Sequence, residues 1–174
     1  MKRFLAIAVA ECYANKCLFE KLLDFLEKTL KINVEKPVRH KNVMGRDRVI
    51  RAIIDISKTY PNHLIIAVID YEEGSSRSYI DENFELEQVG QGIYVGHYKR
   101  NNAIKALIFD PNIEEAIICR SSESSCREPS FLRRLKSREA CEKLNSIFKN
   151  QGSKELLNKL AETVKKLLIP NMIL

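Results

Sequence analysis

Two continuous apolar runs stand out in the chain, at Phe4 to Ala10 and at His63 to Tyr71. Apolar runs of this length without polar alternation indicate strands that are buried on both faces, as in a parallel sheet. We therefore predict that these two segments lie side by side and parallel in a central sheet. A shorter and more polar strand is predicted at Val34 to His40.

Apolar residues at helical spacing separate these strands. Asn15 is predicted to cap a first helix in which Phe19 and several leucines recur on one face. A second helix is predicted after Gly45, and it ends before Pro61. Alternation of strands and helices in this order is typical of right-handed crossovers and of a parallel sheet covered by helices.

The second half of the chain predicts a hairpin and then helices. After a polar stretch that begins at Gly74, the segments Gly92 to Tyr98 and Ala103 to Phe109 are predicted to form an antiparallel pair. Asp110 is predicted to cap a short helix in which Pro111 is the first residue. Two amphipathic helices are then predicted, at Ser130 to Lys149 and at Ser153 to Leu168.

These elements predict an α/β domain with a central, mostly parallel sheet flanked by helices. At 174 residues and 45% hydrophobic composition the chain suits one such domain. We predict an α/β core over residues 1–120, and a C-terminal helical extension over residues 121–174 that packs on the same domain.

The charge of the chain is +6 and unevenly distributed. The segment from Glu72 to Glu87 is acidic, whereas the segment from Arg120 to Lys149 is basic. A basic segment of this kind suits a polyanionic partner such as nucleic acid, and the alternative is a solvated surface. The candidate nucleic-acid contacts are Arg127, Arg133, Arg134, Lys136 and Arg138.

The five cysteines form no C-x-x-C pair, so neither a zinc ribbon nor a disulfide framework is predicted. Buried free thiols are predicted instead, and a bond between Cys119 and Cys126 is the alternative. The N-terminal apolar run is short and is followed by Glu11, which favours a buried strand over a secretion signal. No run approaches the roughly 20 apolar residues that cross a bilayer. We expect a cytoplasmic protein with no membrane contact.

Carboxylates follow both of the predicted central strands. Glu11 comes directly after the first, and Asp70 and Glu72 close the other. Because reactive groups gather at the carboxyl ends of strands in such sheets, we expect these side chains to converge. Asp70 and Glu72 are two positions apart on an extended chain and could hold Mg²⁺ or Mn²⁺ through oxygen. The alternative is that Glu72 only begins a solvated loop.

The segments AIAVAECYANKCLFEKLL and HLIIAVIDYEEG resemble the Toprim domain of topoisomerases, primases and related nucleases. The resemblance covers about the first half of the chain, and the remainder is similar to small prokaryotic Toprim-related proteins of unassigned function. It implies a Toprim-like (Rossmann-like) fold. It also implies that Glu11 acts in general acid–base catalysis and that Asp70 and Glu72 bind Mg²⁺. Glu72 stands where that family has its second aspartate.

Three functions remain open on these grounds. The first is a Mg²⁺-dependent phosphoryl-transfer enzyme that acts on DNA or RNA, in particular a nuclease. The second is a non-catalytic Toprim-like module that binds nucleic acid or a protein, and the third is a plain interaction domain. Glu114 and Glu115 either complete the acidic cluster or favour the start of their helix electrostatically.

Overall fold

The sheet of this protein is built around strands that are buried on both faces. A computed structural model describes residues 3–4, 6–30, 33–34, 38–39, 45–121, 138–150 and 154–168. Within these residues one six-stranded sheet has the order β4-β2-β5-β8-β7-β6, and a separate two-stranded pair joins β1 to β3. The strands are β1 Arg3–Phe4, β2 Ala6–Ala10, β3 Asn33–Val34, β4 Val38–Arg39, β5 Leu64–Asp70, β6 Phe84–Gly90, β7 Ile93–Tyr98 and β8 Ile104–Phe109.

The predicted parallel pairing of the two apolar runs is confirmed. β2 and β5 are parallel neighbours, with Ala6 opposite Leu64 and Ala10 opposite Val68. β4 and β8 extend the parallel part on either side. The predicted antiparallel pairing of β7 with β8 is also confirmed, and β6 completes the antiparallel edge. The chain is therefore an α/β protein with a mixed sheet.

Helices cover both faces of the sheet. On one face, buried residues of α1, α4, α5 and α6 form a continuous core with alternate residues of the strands. On the other face, α2 and α3 pack against the remaining strand residues. The helices are α1 Tyr13–Leu30, α2 Arg46–Thr59, α3 Ser75–Asn83, α4 Glu114–Cys119 (a π-helical segment), α5 Arg138–Lys149 and α6 Lys154–Leu168. Among the described helices, none has the length and apolar character to cross a bilayer.

Two local predictions, both of helix caps, are corrected by the structure, and a stretch without a predicted element is found to be ordered. The polar stretch after Gly74 contains α3 and β6, whose exposed Glu85 and Glu87 reflect the edge position of β6. Asn15 lies inside the first turn of α1, so it does not cap that helix. Asp110 does not cap α4, because the Asn112 side chain accepts a hydrogen bond from the Glu115 N–H at 2.9 Å.

The prediction of free cysteines is wrong for three positions. Cys17 of α1 and Cys141 of α5 form a disulfide with their Cα atoms 5.7 Å apart, and Cys119 is also disulfide-bonded. Cys12 is free. Packing of α5 on α1 brings Cys17 and Cys141 together although they are 124 positions apart in the sequence. The spacing of the cysteines along the chain does not predict this contact. The alternative partner, Cys126, lies outside the described residues. Disulfides are typical of oxidising compartments and of some hyperthermophile interiors, so the cytoplasmic location stays a prediction.

Candidate active site

The carboxylates predicted to converge lie at the carboxyl edge of the parallel strands. Glu11 follows β2 directly, and its N–H donates to the carbonyl of Val68 at 2.9 Å, which continues the β2–β5 ladder by one residue. Asp70 is the last residue of β5. Because β2 and β5 are parallel and in register, these two residues reach the same edge of the sheet together.

The Glu11 carboxylate is held by backbone N–H groups. Its Oε2 accepts a hydrogen bond from the N–H of Asp70 at 2.9 Å. Burial raises the pKa of Glu11, and the charge of Glu72 raises it further. The Asp70 N–H, the Arg46 charge and the Arg46 N–H act in the opposite direction. Glu11 therefore sits between the end of β5 and the start of α2.

The Asp70 carboxylate is the most deeply placed acid of the site. It is 9% exposed, and its Oδ1 accepts from the Ile113 N–H at 3.1 Å and from the Asn15 amide at 3.3 Å. Burial raises the pKa of Asp70 well above its ordinary value, and the charges of Glu11 and Glu114 add to this effect. Asp70 thus joins α1, β5 and the start of α4 through one oxygen atom.

Asn15 presents an oxygen that lacks a partner. Its side chain is fully buried, and its Nδ2 is the group that donates to Asp70. Its Oδ1 is buried and forms no hydrogen bond with any described residue. Buried polar atoms without a partner are rare in folded proteins, so this oxygen is a candidate donor atom beside Asp70.

Glu72 lies on the solvent side of the cluster. It is exposed, and its Oε1 is 3.5 Å from the donating Nδ2 of Asn112. The negative charge of Glu72 raises the pKa of Glu11, so these two carboxylates lie near each other. Glu11, Asp70 and Glu72 are therefore neighbours in the fold, although Asp70 faces the interior and Glu72 faces solvent.

Arg46 ties down the chain that carries the acids. Its guanidinium donates to the carbonyl oxygens of Asp70 at 3.2 Å, of Glu72 at 2.5 Å and of Glu73 at 3.4 Å. Its Nε is buried and has no partner among the described residues. Arg46 is the first residue of α2, so the second helix both fixes the segment after β5 and supplies positive charge to the site.

Two further groups border the acids. Cys12 is a free thiol, and burial, with the charges of Asp70 and Glu114, raises its pKa to about 12. A thiol with that pKa stays protonated at neutral pH, so it is a poor nucleophile. The negative charge of Glu114 raises the pKa of both Asp70 and Cys12, so Glu114 belongs to the same acidic cluster.

The predicted nucleic-acid contacts cannot be placed beside these acids. Four of them lie outside the described residues, and of Arg138 only the backbone, at the start of α5, is described. Two other arginines lie at the same edge as the acids. Arg77 stacks 4.2 Å above the ring of Tyr71, and Arg120 reaches the turn at Gly92.

Sequence reasoning missed Asn15, Arg46 and Asn112 as site residues. Asn15 is the third residue of α1 and follows Glu11 by four positions, so both lie close to the end of β2. Within the described part of the chain, no group of three or more His, Cys, Asp or Glu side chains is arranged to hold a metal ion. The chain matches none of the protein-family models, curated proteins or solved structures with which it was compared.

Proposed function

We propose that this protein is a Mg²⁺-dependent phosphoryl-transfer enzyme that acts on nucleic acid, and in particular a nuclease. The observation that carries the proposal is the contact between Glu11 and Asp70. The backbone N–H of Asp70 donates a hydrogen bond to the Glu11 carboxylate at 2.9 Å. Two acids from adjacent strands, with Glu72 and Glu114 nearby, form a cluster with more negative than positive charge. The resemblance to Toprim domains supports the same residues in the same roles.

The donor atoms suit a hard cation. Asp70 and Glu72 offer carboxylate oxygens, and Asn15 adds a buried oxygen that has no partner. Mg²⁺ in such enzymes is bound through one or two carboxylates and keeps several waters, so a closed cage of protein ligands is not required. Burial and like charge raise the pKa of Asp70, and a divalent cation beside it would relieve both effects.

In this proposal each residue has a defined task. Asp70 and Glu72 would hold the cation, which would supply Lewis-acid chemistry at the scissile phosphate. The Asn15 amide and the Ile113 N–H orient Asp70. Glu11 exchanges a proton with the attacking or leaving oxygen, and its raised pKa brings it nearer to the working pH that this role requires.

Nucleic acid is proposed as the substrate because the chain is basic overall and two arginines lie at the same edge of the sheet as the acids. The chain carries a net charge of +6 in spite of the acidic cluster. Arg77 and Arg120 lie at the same edge of the sheet, and Arg127, Arg133, Arg134, Lys136 and Arg138 are proposed to contact phosphates from the basic segment. Phosphate contacts of this kind supply most of the affinity for nucleic acid.

A non-catalytic binding module is the second candidate, and one observation favours it. Glu11 accepts hydrogen bonds from the backbone N–H groups of Asp70 and Arg46, and the Arg46 guanidinium already offsets part of the acidic charge. A carboxylate with these hydrogen bonds can have a structural role, in which it links β5 to α2, instead of a role in acid–base catalysis.

Cleavage assays separate the two candidates. Purified protein is incubated with single- and double-stranded DNA and RNA, with Mg²⁺, with Mn²⁺ and with a chelator. We expect metal-dependent cleavage that Asp70→Asn abolishes and that Glu11→Gln lowers on the order of a hundredfold or more. Glu73→Gln is the matched control, because Glu73 is exposed and adjacent to the site.

Calorimetric titration with Mg²⁺ on the same variants tests the metal site alone. We expect weak binding that is lost in Asp70→Asn and kept in Glu73→Gln. Equal affinity in all variants would place the cation elsewhere. Nucleic-acid binding without cleavage, and without any effect of Mg²⁺, would favour the non-catalytic module.

A further inference from the structure

A second cluster of charged residues lies at the opposite end of β8 from the acids. Lys105 near the start of β8 is directly opposite His97 of β7, and His97 is directly opposite Glu85 of β6. These residues form one row across three strands. The row lies on the sheet face that α6 covers, because Leu107 and Val95, two positions away in each strand, belong to that core.

Lys105 is a buried ammonium group without a carboxylate partner. It is 9% exposed, and its Nζ lies 2.7 Å from Nδ1 of His97. Among the described residues, no ion pair joins it to an acid. Burying a charge without an opposite charge is costly, and folded proteins normally provide a counter-ion.

The tautomer of His97 depends on the charge of Lys105, whose pKa is lowered by burial. An ammonium group can only donate, so Nδ1 accepts and the neutral ring carries its proton on Nε2. Within the described residues no group hydrogen-bonds to Nε2. Burial and the Lys105 charge lower the pKa of His97, while the charges of Glu87 and Glu85 act in the opposite direction; the net lowering favours the neutral ring. The pair therefore presents one N–H donor, polarised by the ammonium behind it.

His97 lines a cleft of about 410 Å³ between the sheet and α6. That volume is within the range of small-molecule sites. Lys159, Thr163 and Lys166 of α6 line the same cleft, and so do Glu87 and Glu162. Lys165 pairs with Glu162 at 3.4 Å and offsets its charge. Lys159 and Lys166 line the cleft directly, whereas Lys105 lies behind His97.

We propose that this cleft binds a phosphate-class dianion, with His97 Nε2 as a hydrogen-bond donor and Lys105 as the buried counter-charge. Lys159 and Lys166 on the α6 wall are the ammonium groups that reach the ligand directly, and Lys165 offsets the charge of Glu162 on the same wall. The ligand supplies the negative charge that Lys105 lacks in the fold. This site is separate from the acidic cluster and does not depend on the activity proposed for it.

The test follows the imidazole signals of the three histidines by NMR during titration with inorganic phosphate. Titrations with acetate and with chloride at equal ionic strength run in parallel. We expect a saturable shift of His97 with phosphate, and no saturable shift of His63. In Lys105→Met, which removes the charge and keeps the side-chain length, we expect the phosphate affinity to fall about tenfold or more.

Lys165→Met is the matched control, because Lys165 is on the same helix but is paired with Glu162. It should retain most of the affinity. His97→Gln gives a second variant if Lys105→Met is poorly folded, and binding is then followed by calorimetry. The proposal is overturned if phosphate produces no saturable shift of His97, or if Lys105→Met binds as tightly as the parent. Equal binding of acetate would overturn the phosphate-class assignment.

Discussion

The disulfide between α1 and α5 gives the sharpest prediction for stability. Replacing Cys17 and Cys141 together by serine removes a bond between residues that are 124 positions apart. A closed loop of that length takes about 16 cal/mol/K of entropy from the unfolded chain, or about 5 kcal/mol near 25 °C. Since folded domains are stable by roughly 5 to 15 kcal/mol, this loss is a large fraction of the total.

Urea denaturation followed by far-UV circular dichroism measures the effect. We expect the double serine variant to unfold at lower urea with a steeper dependence, because its unfolded chain exposes more surface. The native spectrum should be retained, since Ala140 and Leu144 of α5 still pack in the core. Cys12→Ala is the control, because it loses a thiol without losing a cross-link.

A loss of less than about 1 kcal/mol in the double variant would refute this reasoning. It would mean that the unfolded chain is already compact where the bond closes it, or that the bond does not form in solution. Counting free thiols in the denatured, unreduced protein decides between these two causes.

The remaining predictions concern the site, one turn and the basic segment. Because burial raises the pKa of Glu11 and Asp70 above their ordinary values of 4.5 and 3.8, the folded protein binds more protons than the unfolded chain. Their contribution to stability is full below those values and is lost as the pH rises through the folded pKa values, so Asp70→Asn should flatten the pH dependence of unfolding. Gly92→Ala should destabilise by roughly 1 to 3 kcal/mol, because Gly92 has φ +68° and a Cβ there would lie 2.6 Å from a backbone carbonyl. Replacing Arg133 and Arg134 by alanine should reduce the salt dependence of nucleic-acid binding by about two phosphate contacts.

Each of these has an outcome that contradicts it. A pH profile that is unchanged in Asp70→Asn would mean that the acids do not titrate as a coupled buried group. An unaltered melting temperature in Gly92→Ala would show that the turn relaxes. Nucleic-acid binding with the parent salt slope in the double arginine variant would place the phosphate contacts elsewhere, and absence of binding in the parent would remove nucleic acid as a partner.

The sequence alone was enough to predict the two buried central strands and the α/β class of the fold. The runs at β2 and β5 have no polar alternation and are short for buried helices, which favours strands covered on both faces. It also located acids at the ends of these strands, since Glu11 and Asp70 follow the apolar residues directly. These features can be predicted locally, because the pattern of apolar and polar residues within an element indicates how much of that element is exposed to solvent.

Other features depended on which elements meet. The partner of Asp70 is Asn15, 55 positions away, and the partner of Cys17 is Cys141. The pairing of Lys105 with His97 could be read from a hairpin, but its burial required α6 to cover that face of the sheet. Periodicity reports whether a face is buried and not what buries it. Contacts across the fold are therefore decided by tertiary packing, where shape and charge are matched between segments that are distant in sequence.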